Sequence, residues 1–148
     1  MPRERPNLHE YPFHTTITTR WSDNDIYGHI NNVAYYSYFD SAVNLFLIRE
    51  GGLDIAHGEA IGLVVESRCE YHVPLSYPVP LRAGVRVDKL GNRAVTYGIA
   101  IFSETDPRAA AHGHFVHVFV DRETRMPVPV PQRLREALAR LLLARAPE

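Results

Sequence analysis

Apolar and polar positions alternate over Phe13–Trp21, with Phe13, Ile17 and Trp21 on one side and His14, Thr16, Thr18 and Arg20 on the other. This Thr-rich alternation predicts a half-buried strand. It stops at Ser22-Asp23-Asn24-Asp25, a turn or cap signal. From Asn31 to Glu50 the chain contains no Gly or Pro, and it then meets Gly51-Gly52. That pattern predicts a long helix with a glycine C-cap, and either Asn31 or Asn32 suits its N-cap. Tyr35, Phe39, Val43 and Phe46 form one stripe, while Tyr36, Ala42, Leu45, Leu47 and Ile48 are apolar elsewhere. Such a helix is expected to be buried on several sides.

Four strand-like segments follow. Ile61–Val73 sets Ile61, Leu63, Val65, Cys69, Tyr71 and Val73 against Glu66, Arg68, Glu70 and His72. Leu81–Leu90 sets Ala83, Val85 and Val87 against Arg82, Arg86 and Asp88. Arg93–Phe102 follows the turn signal Leu90-Gly91-Asn92, and Ala111–Val120 follows the break at Asp106-Pro107. The short spacings predict an antiparallel meander for the last three. A second helix is expected from Pro131, with Leu134, Leu138, Leu141 and Leu142 as a narrow apolar face packed on the domain or on a partner. The predicted class is α+β: an antiparallel five-stranded sheet wrapped around one long central helix, with a short C-terminal helix.

Composition narrows the class. The chain has 148 residues, 45% hydrophobic and 22% charged, which suits one domain over 1–148 with a real core. Residues 1–12 carry three prolines and several charges and read as an exposed lead-in. Sixteen Lys+Arg against 17 Asp+Glu leave a net charge of −1, so nucleic acid is not an expected partner. Cys69 is the single cysteine, so neither an internal disulfide nor a zinc-type cysteine framework is available, which fits a cytoplasmic protein. The start MPRERPNLHEYPF has no apolar run to read as a signal peptide. Every apolar stretch falls short of the about 18 residues that a membrane span needs.

The chemistry concentrates between Arg20 and Phe39. Asp23, Asp25, His29, Asn31 and Asn32 lie between a strand end and the start of an apolar helix. Gly28 permits either a close backbone approach or an unusual turn. The free N–H groups of a helix start can hold negative charge. A carboxylate beside such a terminus is what acyl hydrolysis requires. Asp and Asn are also ordinary turn and cap residues, so the local pattern leaves both readings open.

The string Asp23-x-Asp25-x-x-Gly28-His29-Ile30-Asn31-Asn32-x-x-Tyr35-x-x-Tyr38-Phe39 resembles the 4-hydroxybenzoyl-CoA thioesterase family of the hotdog fold. Glu70-Tyr71-His72-Val73-Pro74-Leu75 is similar to that family's Tyr-x-x-Pro strand end, and Leu90-Gly91-Asn92-Arg93-Ala94-Val95-Thr96-Tyr97 to its hairpin. Val118-Phe119-Val120-Asp121 through Pro127-Val128-Pro129 is similar to its last strand and exit. The resemblance covers residues 13–142. It implies a hotdog-fold acyl-CoA thioesterase with Asp25 as nucleophile or general base, Asn32 as the oxyanion-binding amide, and His29 as a further catalytic candidate. Gly28, Asn31 and Tyr35 are the implied substrate-side residues, and Arg82 and Arg93 are candidates for the CoA phosphates, with Arg86 and Lys89 near them. Two departures stand out: Tyr77-Pro78 replaces the family's Gly-Asp pair, and Arg93-Ala94 stands where serines are common.

No metal and no cofactor is expected beyond CoA as part of the substrate. His112 and His114 share one strand face and His117 the other, so the three do not converge on one ion. The chain has no Gly-x-Ser-x-Gly elbow, P-loop or dinucleotide fingerprint. The alternatives on the same fold are an acyl-carrier-protein thioesterase and a non-catalytic acyl-CoA-binding module. The resemblance implies a homodimer or homotetramer, since hotdog domains pair their sheet with a second copy, and an unpaired sheet edge gives the physical motive.

Overall fold

The computed structural model describes residues 4–142. Strands β1 (Phe13–Ile17), β2 (Ala60–Tyr71), β3 (Leu81–Leu90), β4 (Ala94–Ser103) and β5 (Ala111–Asp121) form one antiparallel sheet in the order β1-β3-β4-β5-β2. The last three are the expected meander. Helix α1 (Asn32–Arg49) lies across one face and α2 (Gln132–Ala139) closes the sheet near the C-terminal end of α1. The core forms where Tyr35, Phe39, Val43 and Phe46 of α1 meet Val85, Val95, Tyr97, Ile99 and Phe119 of the sheet. Each such buried side chain contributes about 1.5–3 kcal/mol relative to exposure.

Five expectations change. Helix α1 is buried on one broad face rather than on several sides, since Val33 and Ile48 are exposed. Strand β1 stops at Ile17, and Trp21 sits 76% exposed in a 3-10 turn, Trp21–Asp23. The alternation fails there because the turn points Asp23 inward instead of Trp21. In β2 a bulge between Val64 and Glu66 inverts the pleat. Ser67, Cys69 and Tyr71 therefore register with the inward Phe115, Gly113 and Ala111, whereas Leu63 pairs with the outward Val118.

The N-terminal segment is the fourth correction. It is not an exposed lead-in from Arg5 onward, because Leu8 N donates to the Pro107 carbonyl at 2.8 Å and Arg5 pairs with Asp106 at 3.0 Å. Tyr11 is 2% exposed, edge-on to Phe102, with the Arg86 guanidinium 4.9 Å above its ring. Gly84 makes this possible, since a Cβ there would lie 2.7 Å from that of Tyr11. At the other end Pro131 is the cap of α2 rather than its first residue. Leu134, Leu138 and Leu141 are buried, while Leu142 lies beyond the helix and bridges to Val87.

Candidate active site

The motif folds into a small antiparallel ladder between the 3-10 turn and α1. Asp25 N donates to the His29 carbonyl at 2.8 Å, Asn24 bridges Ile30, and Asn31 N donates to the Asp23 carbonyl at 2.8 Å. Gly28 turns the chain at φ +82°, and a Cβ there would meet nothing within 4 Å. Of the two reasons to place a glycine, the unusual turn applies and the close approach does not. The loop after β2 braces the ladder from outside: Ile30 N donates to the Leu75 carbonyl at 2.8 Å, Ser76 Oγ to the Gly28 carbonyl at 2.9 Å, and Tyr77 N to Asn24 Oδ1 at 3.0 Å.

The two aspartates occupy different environments. Asp23 is 5% exposed and accepts from Tyr38 Oη at 2.7 Å and from Arg20 N at 2.9 Å. Burial pushes its carboxyl up, but the Tyr38 and Arg20 hydrogen bonds and the Arg20 charge outweigh that, and it is held below the usual carboxylate range. Burial, then the bond to Asp23, pushes the Tyr38 phenol well up, so the tyrosine remains a donor. Asp25 is half-buried, and its Oδ1 accepts from Tyr27 N at 2.8 Å. With Trp21, Ser22, Asn24, Ile26 and Gly28 it lines a concavity of about 510 Å3.

The other predicted residues divide by position. Asn31 is the N-cap of α1, and its Oδ1 accepts from Val33 N at 3.0 Å. Asn32 is the first helical residue; its carbonyl accepts from Tyr71 Oη at 3.2 Å, while its backbone N–H meets no acceptor among the described residues. The His29 imidazole is exposed and makes no hydrogen bond among the described residues, to Asp25 or otherwise. Tyr35 is 3% exposed, edge-on to Tyr71 at 5.1 Å, so it lies in the core beside Asn32 rather than on the Asp25 concavity. Arg82 is exposed on the Asp25 end of β3, and Arg93 sits in the hairpin at the other end. Arg82 pairs with Phe102, nine residues from Arg93, so at about 3.3 Å per residue the two stand about 30 Å apart and do not cluster at one site. Arg86 is committed to Asp88 at 2.8 Å.

The histidines follow the predicted faces. His112 and His114 point outward to Glu70 at 3.3 Å and Glu66 at 2.8 Å, and His117 points inward to Tyr97 Oη at 3.2 Å. Cys69 packs against the core, and burial pushes its thiol up to about 11. Sequence reasoning missed the partners Tyr38, Tyr71, Ser76 and Tyr77. Tyr71 and Tyr38 stood inside quoted motifs, but a linear pattern does not show which polar group a phenol reaches. A second concavity, about 480 Å3, lies at the far end of α1 between Gly52, Asp54, Asp121 and Arg133, and holds none of the residues of the Asp23–Phe39 motif.

A five-stranded antiparallel sheet carrying one long helix, with a polar turn feeding the helix start, is the hotdog fold. The chain belongs to the thioesterase-like superfamily, whose family profile matches residues 19–138. It is thus a thioester hydrolase. It is similar to the PA5185 protein from Pseudomonas aeruginosa strain PAO1, at 54% identity and TM-score 0.92 over 93% of this chain and 96% of that one. The PA2801 protein from Pseudomonas aeruginosa is 26% identical, with TM-score 0.79 over 84% and 96% of the two chains. Slr0204, a 1,4-dihydroxy-2-naphthoyl-CoA thioesterase from Synechocystis, shares the fold at 16% identity, with TM-score 0.78 over 87% and 96%. No curated protein sequence matches the chain. Among the described residues no helix is long and apolar enough to cross a membrane.

Proposed function

We propose that the chain hydrolyses acyl-CoA thioesters to free acid and CoA thiol, with Asp25 as nucleophile or general base. The observation that carries this reading is one turn joining a half-buried carboxylate, Asp25, to the Asn32 N–H at the start of α1, an amide unpaired among the described residues. Water, activated by Asp25 or attacking an Asp25 acyl anhydride, supplies the new C–O bond. The C–S bond breaks and the thiolate takes up the proton. An oxyanion donor contributes about 10²–10³ in rate and a general base about 10²–10⁴. We assign His29, exposed beside the turn, as the donor to the leaving thiolate.

Gly28 and Asn31 shape the acyl side through the turn and the helix cap, and Tyr35 backs them from the core. Arg82 is the basic residue for the CoA phosphates on the Asp25 end of the sheet. A second copy completes the reading. Strand β2 is a sheet edge that exposes Leu63, Val64 and Val65, and Trp21, Ile26, Tyr27 and Val33 are exposed beside the site. A homodimer, alone or doubled into a homotetramer, covers such an edge. In a pair joined antiparallel along β2, each hairpin end lies on the side of the other chain's Asp25 end, and an Arg93 contact comes from there. The lone unpaired Cys69 suits a cytoplasmic setting.

The test is thiol release from aryl, short-chain and long-chain acyl-CoAs and from acyl-carrier-protein thioesters. Turnover with at least one acyl-CoA is the expected result. Turnover confined to carrier-protein thioesters, or binding without turnover, contradicts the CoA-hydrolase reading.

A further inference from the structure

Among the described residues the Asp25 carboxylate is anchored only by the Tyr27 amide, and Ile26, Tyr27 and His29 around it are exposed. Beneath it lies Asp23, the one buried carboxylate among the described residues. Its side chain reaches Tyr38 on α1 at 2.7 Å and Arg20 N at 2.9 Å, with the Arg20 guanidinium 3.5 Å from its other oxygen. Its carbonyl holds Asn31 N, the amide just before the free Asn32 N–H. One residue thus ties the entry of the turn to its exit and both to the helix.

We propose that Asp23 and Tyr38 form a positioning pair that fixes the Asp25 carboxylate relative to the Asn32 amide. The catalytic consequence rests on the thioesterase reading above; the structural consequence does not. Neither residue faces the Asp25 concavity, so the pair acts through the ladder and not by touching substrate. The reaction is sensitive to this, since a misplacement of about 1 Å costs about 10²-fold in rate.

The test compares Tyr38→Phe, Asp23→Leu and Asp23→Asn with wild type in two measurements. In thioester hydrolysis, Tyr38→Phe lowers kcat about 10-fold with KM held within about twofold, as expected for lost orientation rather than lost binding. Asp23→Leu loses more, and Asp23→Asn, which keeps an oxygen facing both donors, retains most of what Asp23→Leu loses. Combining Tyr38→Phe with Asp23→Leu costs no more than Asp23→Leu alone, because the two act as one unit. In amide hydrogen exchange without substrate, Tyr38→Phe lowers protection at Asp25, Ile30 and Asn31 about 10-fold and leaves β3 and β4 unchanged.

Unchanged protection in Tyr38→Phe overturns the pair, as does wild-type kcat in that variant, and the thioesterase reading then stands on wild-type turnover alone. Lost protection in a chain whose wild type hydrolyses no thioester upholds the structural clamp and overturns the thioesterase reading. Tyr38→Phe removes only a hydroxyl, so the test survives an Asp23→Leu protein that does not fold.

Discussion

Asp23 and Asp25 are the same residue type two positions apart, and their surroundings divide the work. Asp23 spends its lone pairs on Tyr38 and Arg20, while Asp25 keeps one side of its carboxylate toward the concavity. Gly28 sets the shape between them at φ +82°. An added methyl meets nothing within 4 Å, so Gly28→Ala carries only the left-handed backbone cost. We expect it to lower stability in urea by about 1–2 kcal/mol and to reduce kcat, because the turn relaxes away from this φ. Unchanged urea stability would show that the turn does not need glycine. The Asp-x-Asp-x-x-Gly spacing was legible in the sequence, but the division of roles was not. What separates the two carboxylates is a phenol on a helix 15 residues further on, a contact that no local pattern encodes.

At the scale of elements, alternation gives the faces of the three β5 histidines correctly and the faces of β2 incorrectly. In β5 the alternation runs unbroken, so His117 falls inward as its position requires. In β2 the odd-numbered apolar positions look like one face, but the bulge at Val65 moves Leu63 to the outside. Nothing in the side-chain pattern marks the extra residue between Val64 and Glu66. The proline-rich start was likewise misread, since Tyr11 docks in space that Gly84 leaves open 73 residues later. His117 gives β5 a measurable signature. It is 2% exposed, and burial lowers its imidazole to about 4, with Asp40 opposing.

The folded imidazole therefore stays neutral while the unfolded one protonates near 6.5. Stability is fully present above about 6.5, falls as the pH drops through the window, and levels off below about 4. Between pH 6.5 and 5 the loss is about 2 kcal/mol. Urea unfolding across that range checks this, and His117→Gln is expected to flatten the slope. A wild-type slope that survives in His117→Gln would assign it to other groups.

At the scale of the whole molecule, the fold was legible because its two periodicities are strong: a helix stripe at Tyr35, Phe39, Val43 and Phe46, and a meander with clear turns. The proposed homo-oligomer is tested at the β2 edge. Strand β2 presents a 12-residue edge with Val65 60% exposed at its bulge. We expect Val65→Lys to shift the protein toward a folded monomer in sedimentation equilibrium, since a lysine on an edge opposes strand addition. An oligomer unmoved by that charge would place the interface elsewhere.

Asp25 is the centre of the proposed chemistry, and the most direct measurement is kcat for Asp25→Asn on the best acyl-CoA substrate, with binding of a non-hydrolysable CoA thioether measured beside it. The expected result is a loss of about 10²–10⁴ in kcat with thioether binding retained. Turnover within about threefold of wild type, an effect far below what a lost general base costs, would contradict it and move the chemistry away from this turn.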